Sequence, residues 1–237
     1  MTRNITKIQY LSDLHLEYRK VIPIVPVAAD YLILAGDIGN PFKDNYYYFM
    51  NRVSRQFKKI FLIAGNHEYW NLNATGAADR YNNFVHVHDR IRTVTNNFPN
   101  IHFLNNTSHC FDDKYEILGT VLWSWVDNSS FKNLNQIYLR NREWLERELL
   151  NKKDKIVITH HLPTYSLITE QYQARKYSKY TQQFASHLDH LIQPPVKFWI
   201  AGHSHCTYET RINGVYCGIN AVGYHSTEIQ PKVITLD

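Results

Sequence analysis

Five short apolar runs in this chain each stop at a small or polar residue followed by Asp, Asn or His, and this repeated pattern restricts the fold more than any other feature. The runs are residues 7–11, 31–35, 60–64, 155–159 and 197–201. Their polar ends read Asp13-Leu14-His15, Gly36-Asp37, Gly65-Asn66-His67-Glu68, His160-His161 and Gly202-His203-Ser204-His205. Runs this short and rich in Ile, Leu and Val read as strands buried on both faces. The carboxyl ends of such strands are where α/β sheets gather ligands.

Further strands are expected at 101–104, 115–122 and 232–236, with a hairpin of 208–212 and 215–219 turning at Asn213-Gly214. Helical spacing of apolar residues predicts helices over 46–57, 77–98, 134–149 and 177–191. Strand and helix alternate early and strands follow one another late, so the fold class is α/β, a sandwich with a mixed sheet system. The whole chain, 1–237, is expected to be one domain.

Composition narrows the functional classes. Hydrophobic residues make up 44% and charged residues 20%, which excludes a disordered or fibrous chain. The N-terminus lacks a basic stretch followed by an apolar core, and no apolar run approaches a membrane span of about 18 residues. A cytoplasmic location without membrane contact is therefore expected, and three cysteines without C-x-x-C spacing suit a reducing compartment. The net charge of +5 favours an anionic substrate, although the 26 Lys and Arg are dispersed.

Taken singly, each polar end is a weak signal: a lone Asp after a strand is usually a turn residue, and a lone His-x-His occurs in several kinds of site. Together the five ends offer two carboxylates, an amide oxygen and at least four imidazoles. This mixed nitrogen and oxygen set, without thiolate, suits Mn, Fe or Zn better than Ca or Mg. Seven ligands are too many for one catalytic ion that keeps an open position.

The ordered series Asp13-x-His15, Gly36-Asp37, Gly65-Asn66-His67-Glu68, His160-His161 and Gly202-His203-x-His205 resembles the full signature of calcineurin-like metallophosphoesterases, here in a compact stand-alone form. The resemblance implies a four-layer α/β/β/α fold in which a mixed β-sandwich is flanked by helices. It also implies two divalent metal ions. Asp13, His15 and His205 would bind the first, Asn66, His160 and His203 the second, and Asp37 would bridge both. Ions held about 3.5–4 Å apart lower the pKa of a shared water towards about 7, giving a hydroxide that attacks phosphorus. His67 would be the general acid that protonates the leaving alkoxide, with Asn40 a candidate to orient it. The expected partner is a phosphate ester, mono- or diester, with nucleotides and nucleic acids within the range; the oligomeric state is left open.

Phosphoprotein phosphatases share part of this pattern but grip phosphate with two arginines. Here the corresponding stretches are Gly36-Asp37-Ile38-Gly39-Asn40 and Ile63-Ala64-Gly65, without arginine, which counts against a Ser/Thr phosphatase. The loop Asn220-Ala221-Val222-Gly223-Tyr224 departs from the Asn-Pro-x-Gly-Tyr of comparable small members, and no catalytic role is carried onto it. Substrate choice is expected in loops 123–132 and 162–182; the latter interleaves Tyr165, Tyr172, Tyr177 and Tyr180 with Arg175, Lys176 and Lys179, as a packed lid or a base-stacking surface would. Two alternatives to an esterase stand beside it. One is an inactive scaffold or interaction protein with this fold, set back because His67 and all ligand positions are intact. The other is an amidohydrolase built on His203-x-His205, set back because that pair comes last in the chain.

Overall fold

In the computed structural model of the protein, which describes residues 5–75, 80–169, 181–226 and 228–236, the five apolar runs are strands whose alternate side chains enter different cores. Strands β1 (Thr6–Leu11), β2 (Tyr31–Ala35), β3 (Lys59–Ile63) and β4 (Ile101–Phe103) run parallel, in that order, in a first sheet. The second sheet contains β5 (Thr107–Cys110), β6 (Tyr115–Thr120), β7 (Asp154–Thr159), β8 (Val196–Ala201), β9 (Thr207–Ile212) and β10 (Val215–Asn220). Its spatial order is β5-β6-β7-β8-β10-β9, parallel from β6 to β10 with an antiparallel strand at each edge. Strand β11 (Lys232–Leu236) returns to the first sheet, antiparallel to β1.

Side-chain alternation shows the layering. Ile33, Phe61 and Ile63 meet Ile117, Ile156, Ile158 and Ile200 in a core between the sheets. Their neighbours Leu32, Leu34, Ile60 and Leu62 face outward onto α1 (Asp44–Ser54) and α2 (Phe84–Thr95). Val157, Trp199 and Ala201 likewise face away from the first sheet and pack with Trp144 and Leu145 of α3 (Lys132–Glu148). The order is helices, sheet, sheet, helix: the mixed α/β four-layer architecture. Strands covered on both sides need no polar alternation, which is why they appear in the sequence as unbroken apolar runs.

Two helix expectations are corrected. Of the element expected over 77–98, residues 77–79 lie outside the described residues, and among those described the helix runs from Phe84 to Thr95. Tyr81 instead pairs with Trp70 in an antiparallel bridge, Asn82 N donates to Tyr69 O at 2.7 Å, and the Asn83 side chain caps the helix by accepting from His86 N at 3.2 Å. The helix expected over 177–191 lies in part outside the described residues, as do Tyr172, Arg175, Lys176, Tyr177, Lys179 and Tyr180. After a turn in which Phe184 N and Ala185 N donate to Thr181 O, the backbone bonds Leu162 through Phe184 O and Ser186 N, which takes it out of helical register; a short 3-10 turn follows at Asp189–Leu191. At the hairpin, Asn213 (φ 51°) and Gly214 (φ 82°) both take the left-handed conformation that a two-residue turn requires. No helix among the described residues is long and apolar enough to cross a membrane.

Candidate metal centre

Asp13, His15, Asp37, Asn66, His67, His160, His203 and His205 all meet at the carboxyl ends of β1, β2, β3, β7 and β8. The backbone ties the loops together: Asp13 N donates to Gly36 O and His15 N to Asp37 O, both at 3.0 Å, and Gly202 N donates to His160 O at 3.0 Å. Side chains add cross-links, with Asp13 Oδ2 accepting from His203 N at 3.0 Å and Asp37 Oδ1 accepting from His67 N at 2.7 Å.

Asp13 and His15 do not share a side through extended backbone, as their i, i+2 spacing suggests. Strand β1 has already ended, and both are left-handed, with φ of 58° and 48°. Asp37 (53°), His203 (68°) and His205 (49°) are left-handed too. For residues with a Cβ this conformation costs of order 1–3 kcal/mol each, and it persists where surrounding contacts enforce a functional geometry.

Gly36 (φ +87°) and Gly65 let these loops approach. A Cβ on Gly65 would stand 2.6 Å from Asp37 N and 2.7 Å from His160 Cε1. Gly65→Ala is therefore expected to push the Asp37 and Asn66 loops apart and to lower bound metal by at least about tenfold at a fixed metal concentration, the loss typical of disturbed supporting contacts. Metal analysis after dialysis checks this; wild-type metal content in the variant would refute it.

The distribution of protons shows what the cluster lacks. His160 Nδ1 donates to Ala35 O at 2.9 Å, so in the neutral ring Nε2 carries a lone pair. That lone pair faces two more acceptors, Asn66 Oδ1 at 3.0 Å and Asp37 Oδ2 at 3.2 Å. His203 donates Nε2–H to Gln183 O at 3.1 Å, leaving Nδ1 free, and its donor atom groups with those of Asp37 and His160. On the other side, His15 Nδ1 donates to Glu17 at 3.2 Å, and its Nε2 lies 3.0 Å from His205 Nε2. His205 Nε2 in turn lies 3.2 Å from Asp13 Oδ1. Asp13 Oδ1 and Asp37 Oδ2 are buried without a hydrogen-bond partner among the described residues. Lone pairs thus converge in two clusters, Asp13-His15-His205 and Asp37-His160-His203, and His15 with His67 also groups with Asp37. Two candidate divalent-metal sites fit this donor set, and cations would relieve the repulsion.

The electrostatics agree. Burial works against charge on Asp37, but the His160 and His67 rings hold its carboxyl well below the usual carboxylate range. Burial would also lower His160, yet the Asp37 charge outweighs it and carries that imidazole up to about 9. A proton on His160 therefore stands where positive charge is wanted, the place a cation takes. Burial and then the His160 charge take His203 down to about 3, so it remains a neutral donor.

The family profile described as calcineurin-like phosphoesterase matches residues 6–207. The chain belongs to that family. This calcineurin-like phosphoesterase is 29% identical to an uncharacterized protein of Acanthamoeba polyphaga mimivirus, across 92% of this chain and 91% of that protein. Its fold is similar to the phosphopantetheinyl hydrolase of Mycobacterium tuberculosis, with TM-score 0.69 at 16% identity over 93% of this chain and 90% of that one. A protein of Thermus thermophilus is similar with TM-score 0.60 at 13% identity, over 99% of each chain. At these identities the two likenesses concern the fold alone.

Three further residues at this centre have no role implied by the sequence alone. Tyr224, in the loop to which none was carried, places its hydroxyl 3.0 Å from His67 Nε2 and its ring 4.2 Å from that of His15. Glu17 lies between His15 and His67, with Oε1 3.0 Å from His67 Nδ1. This corrects the expectation for Asn40: both ring nitrogens of His67 are engaged, by Glu17 and Tyr224, while the Asn40 side chain caps its own turn by accepting from Phe42 N at 2.9 Å. Burial would lower His67, but the Asp37 charge and the Glu17 bond raise it above its ordinary value. Glu68, inside the third motif, is a backbone brace whose oxygens accept from four amides. Glu68 is signalled by its place in the third motif and Glu17 by its position two residues after His15, whereas Tyr224 has no such local signal.

Proposed function

We propose that this calcineurin-like phosphoesterase hydrolyses a phosphate mono- or diester with two divalent ions, Mn, Fe or Zn. Asp13, His15 and His205 would hold one, Asn66, His160 and His203 the other, and Asp37 would lie between. The observation that carries this reading is the convergence of His160 Nε2, Asn66 Oδ1 and Asp37 Oδ2, three acceptors with no donor among them when His160 is neutral. When bound, the ions supply an acidified water as nucleophile and neutralise the charge that builds on the phosphoryl oxygens.

The remaining chemistry belongs to side chains. His67 is 4% exposed and lines the same cavity as Asp37, Asn66, His203 and His205. Its Nε2, now bonded to the Tyr224 hydroxyl, is the atom that would donate a proton to the departing oxygen. Stacking on Trp70, with centroids 3.7 Å apart, keeps the ring from swinging away. Beyond the polar cluster the cavity, about 340 Å³, continues between Trp70, Tyr81, Trp123, Phe131, Leu134 and Phe184. Such walls take up an apolar or flat organic group on the ester and exclude water around it.

What speaks against an inactive scaffold is that the proposed proton donor His67 lines one cavity together with four of the proposed ligands, Asp37, Asn66, His203 and His205. The test is metal analysis of the purified chain together with a panel of aryl phosphate mono- and diesters. Two ions per chain and turnover of at least one ester class are expected, with His67→Ala losing about 10²- to 10⁴-fold on esters with poor leaving groups. Two bound ions with no turnover of either class would overturn the enzymatic reading and leave the scaffold.

A further inference from the structure

Glu17 carries a buried charge that the proposed reaction does not by itself require. Its side chain is 1% exposed, and its backbone forms the centre of a short 3-10 turn, Leu16–Tyr18, that follows left-handed His15. Leu16 N donates to Ile38 O at 2.9 Å, so this turn is fastened to the loop carrying Asp37. The fastening directs the Glu17 carboxylate inward, beneath the two imidazoles.

There Oε1 lies 3.2 Å from His15 Nδ1 and 3.0 Å from His67 Nδ1, while Oε2 is buried without a hydrogen-bond partner among the described residues. The rings meet edge to face, with centroids 4.4 Å apart. A buried carboxylate costs several kcal/mol unless N–H groups compensate it. Among the described residues, the two Nδ1–H groups are its side-chain donors. A carboxylate oxygen only accepts, so each ring must turn a protonated Nδ1 towards it and present Nε2 on its far side.

We infer that Glu17 is the positioning residue of the general acid: it holds His67 in the ring orientation whose Nε2 faces the cavity, and with the same oxygen it holds His15 Nε2 towards the first metal cluster. The inference rests on the assignment of His67 proposed above. Two functions that the sequence places on separate motifs, metal binding by His15 and proton donation by His67, are thereby joined through one oxygen atom. Without the carboxylate, His67 keeps its stacking on Trp70 but loses the acceptor that distinguishes Nδ1 from Nε2. Both tautomers and a flipped ring then become accessible, and the proton no longer has a fixed place.

The first test needs no metal and no substrate. Nitrogen-15 histidine NMR of the metal-free full chain, with His67 assigned through the signals missing in His67→Ala, should show a hydrogen-bonded, low-field Nδ1 proton on His67. In Glu17→Gln that proton should shift upfield or vanish into exchange, and the ring nitrogens should report a mixture of tautomers. An unchanged His67 spectrum would overturn the inference. Should Glu17→Gln fail to fold, Glu17→Asp, which keeps the charge but shortens the reach, should weaken the same signal; its persistence at full strength is equally fatal.

The second test is kinetic and uses saturating metal. An alkyl ester needs its leaving oxygen protonated, whereas a p-nitrophenyl ester does so far less. Loss of positioning should therefore lower the alkyl rate more than the aryl rate, by a ratio of about tenfold or more, part of the general-acid contribution of about 10²- to 10⁴-fold. In the His67→Ala background Glu17→Gln should leave that ratio unaltered. Equal loss on both esters, or a ratio that still changes without His67, would show that Glu17 acts only as a structural or metal-supporting group. If the wild-type chain hydrolyses neither ester, the phosphoesterase reading fails, and the NMR measurement still decides whether Glu17 orients His67.

Discussion

Asp37→Ala should abolish ester hydrolysis, by about 10³-fold or more, which corresponds to about 4 kcal/mol of transition-state stabilisation. Among the described residues, Asp37 is the one whose donor atom groups both with His15 and with His160 and His203. Its Oδ2 lies 3.2 Å from His160 Nε2 and 3.8 Å from His15 Nε2. A single carboxylate between two dications offsets their repulsion, so removing it affects both ions at once, where any other proposed ligand affects one. The informative companion is Asp37→Asn. An amide oxygen in place of Oδ1 can still accept from His67 N, which bonds that atom at 2.7 Å, so the loop keeps its shape. The charge is lost without the geometry. Activity should fall as far as in the alanine variant while the circular dichroism spectrum is preserved and metal content drops below two ions per chain. Retention of two ions with more than about a tenth of the wild-type rate, a barrier change under about 1.4 kcal/mol, would remove Asp37 from its bridging place.

The layered fold is readable in the sequence because the strands that build it are buried on both faces. Runs such as Tyr31-Leu32-Ile33-Leu34-Ala35 contain no charged residue within them, and β2 and β11 occupy the spans expected of them. Strand β5, Thr107–Cys110, is not among the expected strands, because Thr-Ser-His-Cys at a sheet edge carries little apolar patterning. Residues 80–83 of the helix expected over 77–98 are not helical, because Tyr81 fits the helical period while its side chain packs beside Trp123 from a bridge to Trp70. Periodicity records which side chains are apolar, and tertiary pairing of the backbone decides between helix and bridge.

For the site, the sequence reveals which residues assemble but not how they are held. Residue types at strand ends identify lone-pair donors, and the structure brings those donors together. Left-handed backbone at Asp13, His15, Asp37, His203 and His205 leaves only a weak residue-type signal: Asp and His tolerate it better than most residues with a Cβ, but they are common in other conformations, and here contacts between loops enforce it. Tyr224 reaches His67 from 157 positions away in sequence, a relation only the fold creates.

Glu68 illustrates the same point through stability and supports the second large effect. Its side chain is fully buried, and its oxygens accept from Gly65 N at 2.7 Å, Ile38 N at 2.8 Å, Asp37 N at 3.0 Å and Gly39 N at 3.3 Å. Burial and then the Asp37 charge push its carboxyl up to about 8. Four N–H donors nevertheless face its two oxygens, surroundings that only the ionised group satisfies in full, so the amides argue for the carboxylate. Glu68→Ala leaves these donors in a cavity without an acceptor, and each unsatisfied buried group costs about 1–3 kcal/mol. After partial relaxation and entry of water, a loss of about 4 kcal/mol is expected, a size reached when a buried network is broken. For a chain of 237 residues that is a fall in Tm of about 10 °C. Glu68→Gln keeps the volume and one acceptor but turns an NH₂ group onto amide donors, so it should recover less than half of the loss. Thermal unfolding of the metal-free chains measures both. Because the brace joins the loop of Asp37 to that of Asn66, metal affinity should fall in parallel with Tm. A Glu68→Gln chain that melts within about 2 °C of wild type, under about 1 kcal/mol, would mean that the four amides find other acceptors and that the loops are held without this carboxylate.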